Sequence, residues 1–168
     1  YSKAQECMTK AANLGYTEAQ LVLAGWHYFG ETGLLSVNRS KALYYATLGC
    51  SRERNADADY FLGSLHFFGE GGLENALYLA KHYLERSAKG GCEMAYYMYG
   101  LALLKLWKSQ YNGMNVPGHG AIPRILYWFR KAAANGSSDA ARMVEELEKS
   151  AKQNCAYCRK VASSTDET

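Results

Sequence analysis

Residues 26–33 read W-H-Y-F-G-E-T-G, and residues 65–72 read L-H-F-F-G-E-G-G. At an offset of 39, His27 matches His66, Phe29 matches Phe68, Gly30 matches Gly69, Glu31 matches Glu70 and Gly33 matches Gly72. Upstream, Ala19 matches Ala58 and Leu23 matches Leu62. A weaker third copy starts at Ala95, where Gly100 repeats the spacing of Gly63 from Ala58, and a last one starts at Ala140. The intervals between these alanines are 39, 37 and 45 residues. A period of this length marks stacked supersecondary units, each unable to bury its apolar face alone.

The second half of each unit repeats as well. Lys3-Ala4 leads to Ala11-Ala12 and Gly15, and Lys41-Ala42 leads to Tyr45 and Gly49-Cys50. Leu79-Ala80 leads to Tyr83, Ser87-Ala88 and Gly91, and Arg124-Ile125 leads to Trp128, Ala132-Ala133 and Gly136. Small pairs followed by glycine describe a helix that packs closely on its neighbour and ends in a glycine cap. The 16 glycines punctuate segments of about 12 to 17 residues, rich in Ala, Leu, Tyr and Lys, and both prolines, Pro117 and Pro123, fall in one stretch. Such lengths favour helices over strands, and the fold class is all-α.

The pattern resembles the Sel-1-like repeat family, relatives of the tetratricopeptide repeats. Ala58, Leu62, Gly63 and Gly69, then Ala80, Tyr83, Ala88 and Gly91 carry the resemblance, and Arg124, Trp128-Phe129, Ala132-Ala133 and Gly136 extend it. His27 and His66 depart from the family's usual Tyr, Ala24 from its first Gly, and Gly49-Cys50 from its Ala-Ala. The resemblance implies a right-handed α-solenoid of antiparallel helix pairs over residues 1–152, with a polar tail at 153–168. Helices are expected at about 2–14, 17–30, 39–50, 56–69, 74–89, 93–109, 122–135 and 138–152.

Composition narrows the functional classes. The chain has 168 residues, 48% of them hydrophobic, enough for a core without disulfide or metal staples. A balance of 19 Lys and Arg against 16 Asp and Glu gives +3, too even for a phosphate-binding surface, so nucleic acid is not an expected partner. No apolar run reaches the roughly 18 to 20 residues of a membrane helix. The first residues lack a signal-peptide core, and a chain beginning at Tyr1 rather than Met reads as a piece of a longer one. The sequons at Asn38 and Asn135 matter only in a secretory lumen, against which the odd count of five cysteines speaks, so a cytoplasmic setting is favoured.

Catalytic signatures are missing: no G-x-S-x-G, Walker loop, H-E-x-x-H or G-x-G-x-x-G is present, and no nucleophile, base and oxyanion set can be named. His27 and His66 sit at equivalent positions and read as packing histidines with local hydrogen bonds. Cys7, Cys50 and Cys92 read as small core residues. Cys155 and Cys158 form a C-x2-C pair, half of a tetrahedral zinc site. They resemble the opening of a MYND-type zinc finger that would continue past Thr168; a redox pair or two bystander thiols are the alternatives.

By analogy with the tetratricopeptide groove, the first helix of each pair lines a concave face that captures a protein or peptide. The expected contact positions are Glu18, Leu21, Gly25 and Tyr28, then Asp57, Tyr60, Ser64 and Phe67, then Met94, Tyr97, Leu101 and Leu104. Such a face, aromatic with acidic spots, suits a peptide with apolar anchors and some positive charge. Two alternatives stay open for it: the aromatics pack within the array, or Phe29 and Phe68 are the groove residues instead. The insertion from Lys108 to Arg124 is a further candidate contact or a neutral loop. The expected function is a non-catalytic adaptor; a zinc-finger regulator with the repeats as spacer, or a subunit of a larger complex, are the other readings.

Overall fold

The computed structural model describes residues 2–30, 36–52, 55–70, 76–110 and 121–154. Eight helices are found among them: α1 (Ser2–Asn13), α2 (Thr17–Phe29), α3 (Arg39–Arg52), α4 (Ala56–Phe68), α5 (Leu77–Lys89), α6 (Glu93–Gln110), α7 (Ala121–Ala134) and α8 (Ser138–Asn154). The all-α repeat fold read from the register is the observed one, and most helix ends fall within two residues of expectation. The larger difference is α5, which begins at Leu77 rather than about 74. Pro123 lies in the first turn of α7, where a missing N–H costs nothing.

The chain divides into two compact units, residues 1–95 and 96–168. In the first, α1 packs on α2, α2 on α3, α3 on α4 and α4 on α5, while α2 also meets α4. Helix ends are fixed locally. Asn55 caps α4 by accepting from the Asp57 and Ala58 N–H groups at 2.8 and 3.3 Å. At the other end Gly69 adopts the left-handed conformation at φ 69°, which a side chain would disfavour, and its N–H returns to the Leu65 carbonyl.

Close approach of the paired helices is paid for in side-chain volume at one recurring crossing. A Cβ on Gly63 would stand 2.7 Å from Leu84 Cγ, so α4 and α5 meet there only because residue 63 has no side chain. In the second unit a Cβ on Gly100 would stand 2.7 Å from the Phe129 ring. That unit centres on α6 and α7, with Tyr99 and Phe129 fully buried and Tyr99 edge-on to Trp128 at 5.2 Å. Arg124 donates to the Tyr99 hydroxyl at 2.7 Å, and α8 packs on α7 with Ala140 buried.

Candidate partner-binding face

The first helices of the pairs in the first unit, α2 and α4, contain no Lys or Arg. Their exposed first-turn acids, Glu18 and Asp57, occupy equivalent positions. Eleven residues on, about three full turns and therefore nearly the same side of each helix, stand Phe29 and Phe68. These rings are 57% and 52% exposed. Between acid and ring the same side carries half-buried Gly25 on α2 and fully buried Ser64 on α4, so on α4 the exposed acid and ring are separated by a covered position. Phe29 leans on buried Phe61 of α4, ring centroids 6.1 Å apart, so its exposed ring sits where α2 packs on α4.

The expected contact positions divide sharply. Glu18 and Asp57 are exposed and Leu21 and Gly25 half-buried, whereas Tyr28 (6%), Tyr60 (8%), Ser64 (0%) and Phe67 (8%) are in the core. The expectation that these four positions are surface is corrected by packing: Tyr28 meets Tyr60 at 6.4 Å and Phe61 at 5.5 Å, filling the space between α2 and α4. Burial pushes the Tyr60 phenol up to about 12 and raises that of Tyr28. Ser64 Oγ makes no hydrogen bond of standard geometry among the described residues, yet lies near enough to both phenols to favour their ionised forms slightly. On α6, Met94 is exposed, Tyr97 and Leu101 are half-buried, and Leu104 is buried. Burial, followed by the Asp139 charge, raises the Tyr97 phenol.

The two matched histidines do pack, each flat against a tyrosine of the second helix. His27 stacks on Tyr45 at 5.8 Å and 3°, His66 on Tyr83 at 5.7 Å and 2°. The expected local hydrogen bond is absent at Nδ1, which is buried without a partner among the described residues in both. Burial lowers both imidazoles, and Lys41 lowers His27 further. The expected core role of the cysteines is met by Cys92, which is buried; Cys50 is half-buried and Cys7 is exposed. Burial and then the Asp59 carboxylate push the Cys50 thiol up to about 11, leaving it protonated.

Sequence reading missed a buried ion pair. Asp59, its side chain 4% exposed, meets Arg86 of α5 at 3.1 Å and receives the Cys50 thiol at 3.7 Å. Burial raises the Asp59 carboxyl, against the opposing pull of Arg86. The available signal was register: Asp59 follows Ala58 as Gln20 follows Ala19, and both sites are buried. A second pair, Arg39 with Glu70 at 2.6 Å, joins the start of α3 to the residue after the α4 cap.

Among the described residues no group of three or more His, Cys, Asp or Glu is arranged to hold a metal, and no helix is long and apolar enough to cross a membrane. Cys155, Cys158, His119 and most of the 108–124 insertion lie outside the described residues.

The Sel1 repeat model matches residues 1–16, 17–53, 56–92 and 126–137. Chitin synthase regulatory factor 4 of Schizosaccharomyces pombe is 26% identical over 145 residues, which is 86% of this chain and 20% of that protein. The chain therefore spans about a fifth of that relative's length. Among solved structures, a Sel1 repeat protein from Oxalobacter formigenes superposes with a TM-score of 0.57 at 23% identity, covering 84% of this chain and 96% of that one. The protective antigen c5321 of uropathogenic Escherichia coli, described as displaying an SLR fold, gives 0.63 at 24% identity, covering 91% of this chain and 29% of that one. Sel1 repeats generally serve protein interaction and are typically non-catalytic. Helix pairs in register, glycine-dependent crossings and a family match over most of its length together make this chain a member of the Sel1 repeat family.

Proposed function

We propose that the chain is a non-catalytic adaptor that captures a protein or peptide on the α2/α4 face of its first unit. The observation that carries this reading is the repeated exposure of Phe29 and Phe68 at equivalent positions, each on the side of its helix that begins with an exposed acid. Large exposed aromatics recurring in register are suited to anchoring a partner's apolar side chains. Glu18 and Asp57, on helices without a single cation, favour a partner that is basic along the opposite edge. The S. pombe relative is named as a regulatory factor for an enzyme, which accords with a role exerted through another protein.

Affinity capture from native lysate tests the reading, with wild type beside a Phe29→Ser/Phe68→Ser variant. Specific proteins are expected to disappear from the variant while its melting curve stays close to wild type. Identical capture profiles from a folded variant would sink the assignment of this face. A Tyr60→Ala/Phe67→Ala variant serves as the contrast: both rings are buried, so it should melt well below wild type, with a cost of about 3–5 kcal/mol per buried aromatic.

The zinc reading of Cys155 and Cys158 is a separate proposal. A chain extended past Thr168 that binds zinc with Cys155 and Cys158 among its ligands would support it; no metal uptake by the extended chain would overturn it.

A further inference from the structure

Helix α1 stands in register with the second helices of the pairs, and the side that those helices turn to a first helix is open on it. Ala4, Cys7, Met8, Lys10 and Ala11 lie 76 residues ahead of Ala80, Tyr83, Leu84, Arg86 and Ser87 on α5. Each is more exposed than its match, and Ala4 and Cys7 are fully on the surface. Beyond the helix end, Leu14 and Tyr16 are exposed too, whereas Cys92, the match of Tyr16, is buried.

The matches are covered by α4. Leu84 occupies the space that Gly63 leaves, and Ser87 donates to the Ala56 carbonyl at 2.6 Å. Tyr83 stacks on His66, and Arg86 pairs with Asp59. The second unit repeats this interface with other residues: Phe129 of α7 fits against Gly100 of α6. Lys131, in register with Arg86, sets its ammonium over the Tyr96 ring, 4.4 Å from the centroid. A cation at this place therefore meets an acid or a ring one residue after the leading alanine of the first helix. Five residues after that alanine the crossing takes Ala24, Gly63 or Gly100.

Met8 and Lys10 make the same two demands on whatever covers α1. We propose that this side of α1 is a docking site for a helix of first-helix type, supplied by another Sel1 repeat. It carries an alanine, an acid or aromatic residue directly after it, and Gly or Ala four positions further on. The small residue receives Met8, and the acid draws Lys10 from its solvent-exposed pair with Glu6. Covering Met8, Leu14 and Tyr16 supplies the apolar burial. A second copy's α8 does not meet these demands: it has the leading alanine, Ala140, but Ala141 follows it and Glu145 stands at the crossing. The site goes beyond the adaptor reading and uses neither Phe29 nor Phe68.

The test extends the full chain. A copy of residues 55–76 joined directly ahead of Tyr1 stands in the register it holds ahead of Leu77, and it contains no cysteine. Reaction with 5,5′-dithiobis(2-nitrobenzoate), compared with the Cys7→Ser chain, isolates the Cys7 thiol. In the extended chain that thiol should react about tenfold more slowly or less, as for a group reached only through local opening. The extended chain should also melt higher, since each stacked helix adds an interface. Gly63→Trp in the added copy alone should abolish the protection, and Asp59→Lys in that copy, facing Lys10, should weaken it. Cys7 reacting as fast in the extended chain as in the original, or protected equally by the Gly63→Trp copy, would overturn the proposal. Equal protection by the Asp59→Lys copy would overturn the stated chemistry of the partner. An original chain that self-associates and thereby shields Cys7 would make a second copy the occupant, and would overturn it as well.

Discussion

The first repeat, residues 17–53, and the second, residues 56–92, follow one register and solve its buried positions with different chemistry. After the leading alanine stands Gln20 in the first, donating its amide N–H to the Ala12 carbonyl at 3.0 Å. In the second the same place holds Asp59, which requires Arg86 where the first repeat has Leu48. At the helix crossing the first repeat sets Ala24 and Ala46 in register, both fully buried; the second sets Gly63 against Leu84. Volume taken from one helix is returned by the other. What the repeats conserve between them is the filled space and a partnered polar side chain at the buried position, although the Gln20 carbonyl oxygen finds no partner among the described residues, whereas Asp59 pairs with Arg86.

Among changes that set one repeat's solution against the other's, breaking the ion pair should have the largest effect. Arg86→Ala leaves Asp59 buried beside a half-buried thiol and should cost about 2–4 kcal/mol in urea unfolding, less than a fully buried pair because Arg86 is 35% exposed. Installing the first repeat's solution, Asp59→Gln with Arg86→Leu, should return most of that loss. A double variant no more stable than Arg86→Ala would show that the two repeats are not interchangeable at this site.

Next comes the crossing. Gly63→Ala drives a methyl into Leu84 and should cost about 1–3 kcal/mol. Combined with Leu84→Ala, which reproduces the alanine pair of the first repeat, the two losses should sum to clearly less than their separate values. Strict additivity in the double-mutant cycle would mean that the contact is relieved elsewhere. Smaller again is Ser87→Ala, which deletes the 2.6 Å hydrogen bond to the Ala56 carbonyl and should cost about 1 kcal/mol. The first repeat has Gly49 at that place.

The smallest effect is a slope with pH. Both stacked histidines are lowered below 6.5 by burial, so their contribution to stability is present above that pH and is lost as pH falls through their lowered folded values. Lys41 adds to the effect at His27, whereas the second repeat has Leu79 in its place. Stability measured from pH 7.5 downward should fall, and Lys41→Leu should flatten the part due to His27. A profile that Lys41→Leu leaves unchanged would refute this difference between the repeats.

The fold was legible because small residues and glycines sit at fixed intervals, and close helix packing leaves them little alternative. The candidate face was legible only in part. Steps counted from the leading alanine reached Tyr28 and Phe67, while the exposed rings lie one residue further on, about 100° around the helix. An analogy good to one residue is too coarse for a surface, since one residue separates core from solvent. Asp59 was hidden for a related reason: a carboxylate reads as surface until its register position is compared with Gln20.

The carbonyls of the two matched histidines carry a further consequence. His27 accepts the Asn38 N–H at 2.8 Å and His66 accepts the Ala76 N–H at 3.1 Å, each tying the chain's return to the last turns of the first helix. Each connector is thereby clasped at its base, and its length is uncoupled from the packing of the pair it joins. Lengthening a clasped connector adds only the slowly growing entropy of a longer loop. Evolution can therefore write new sequence between the paired helices of the first unit without disturbing how each pair packs.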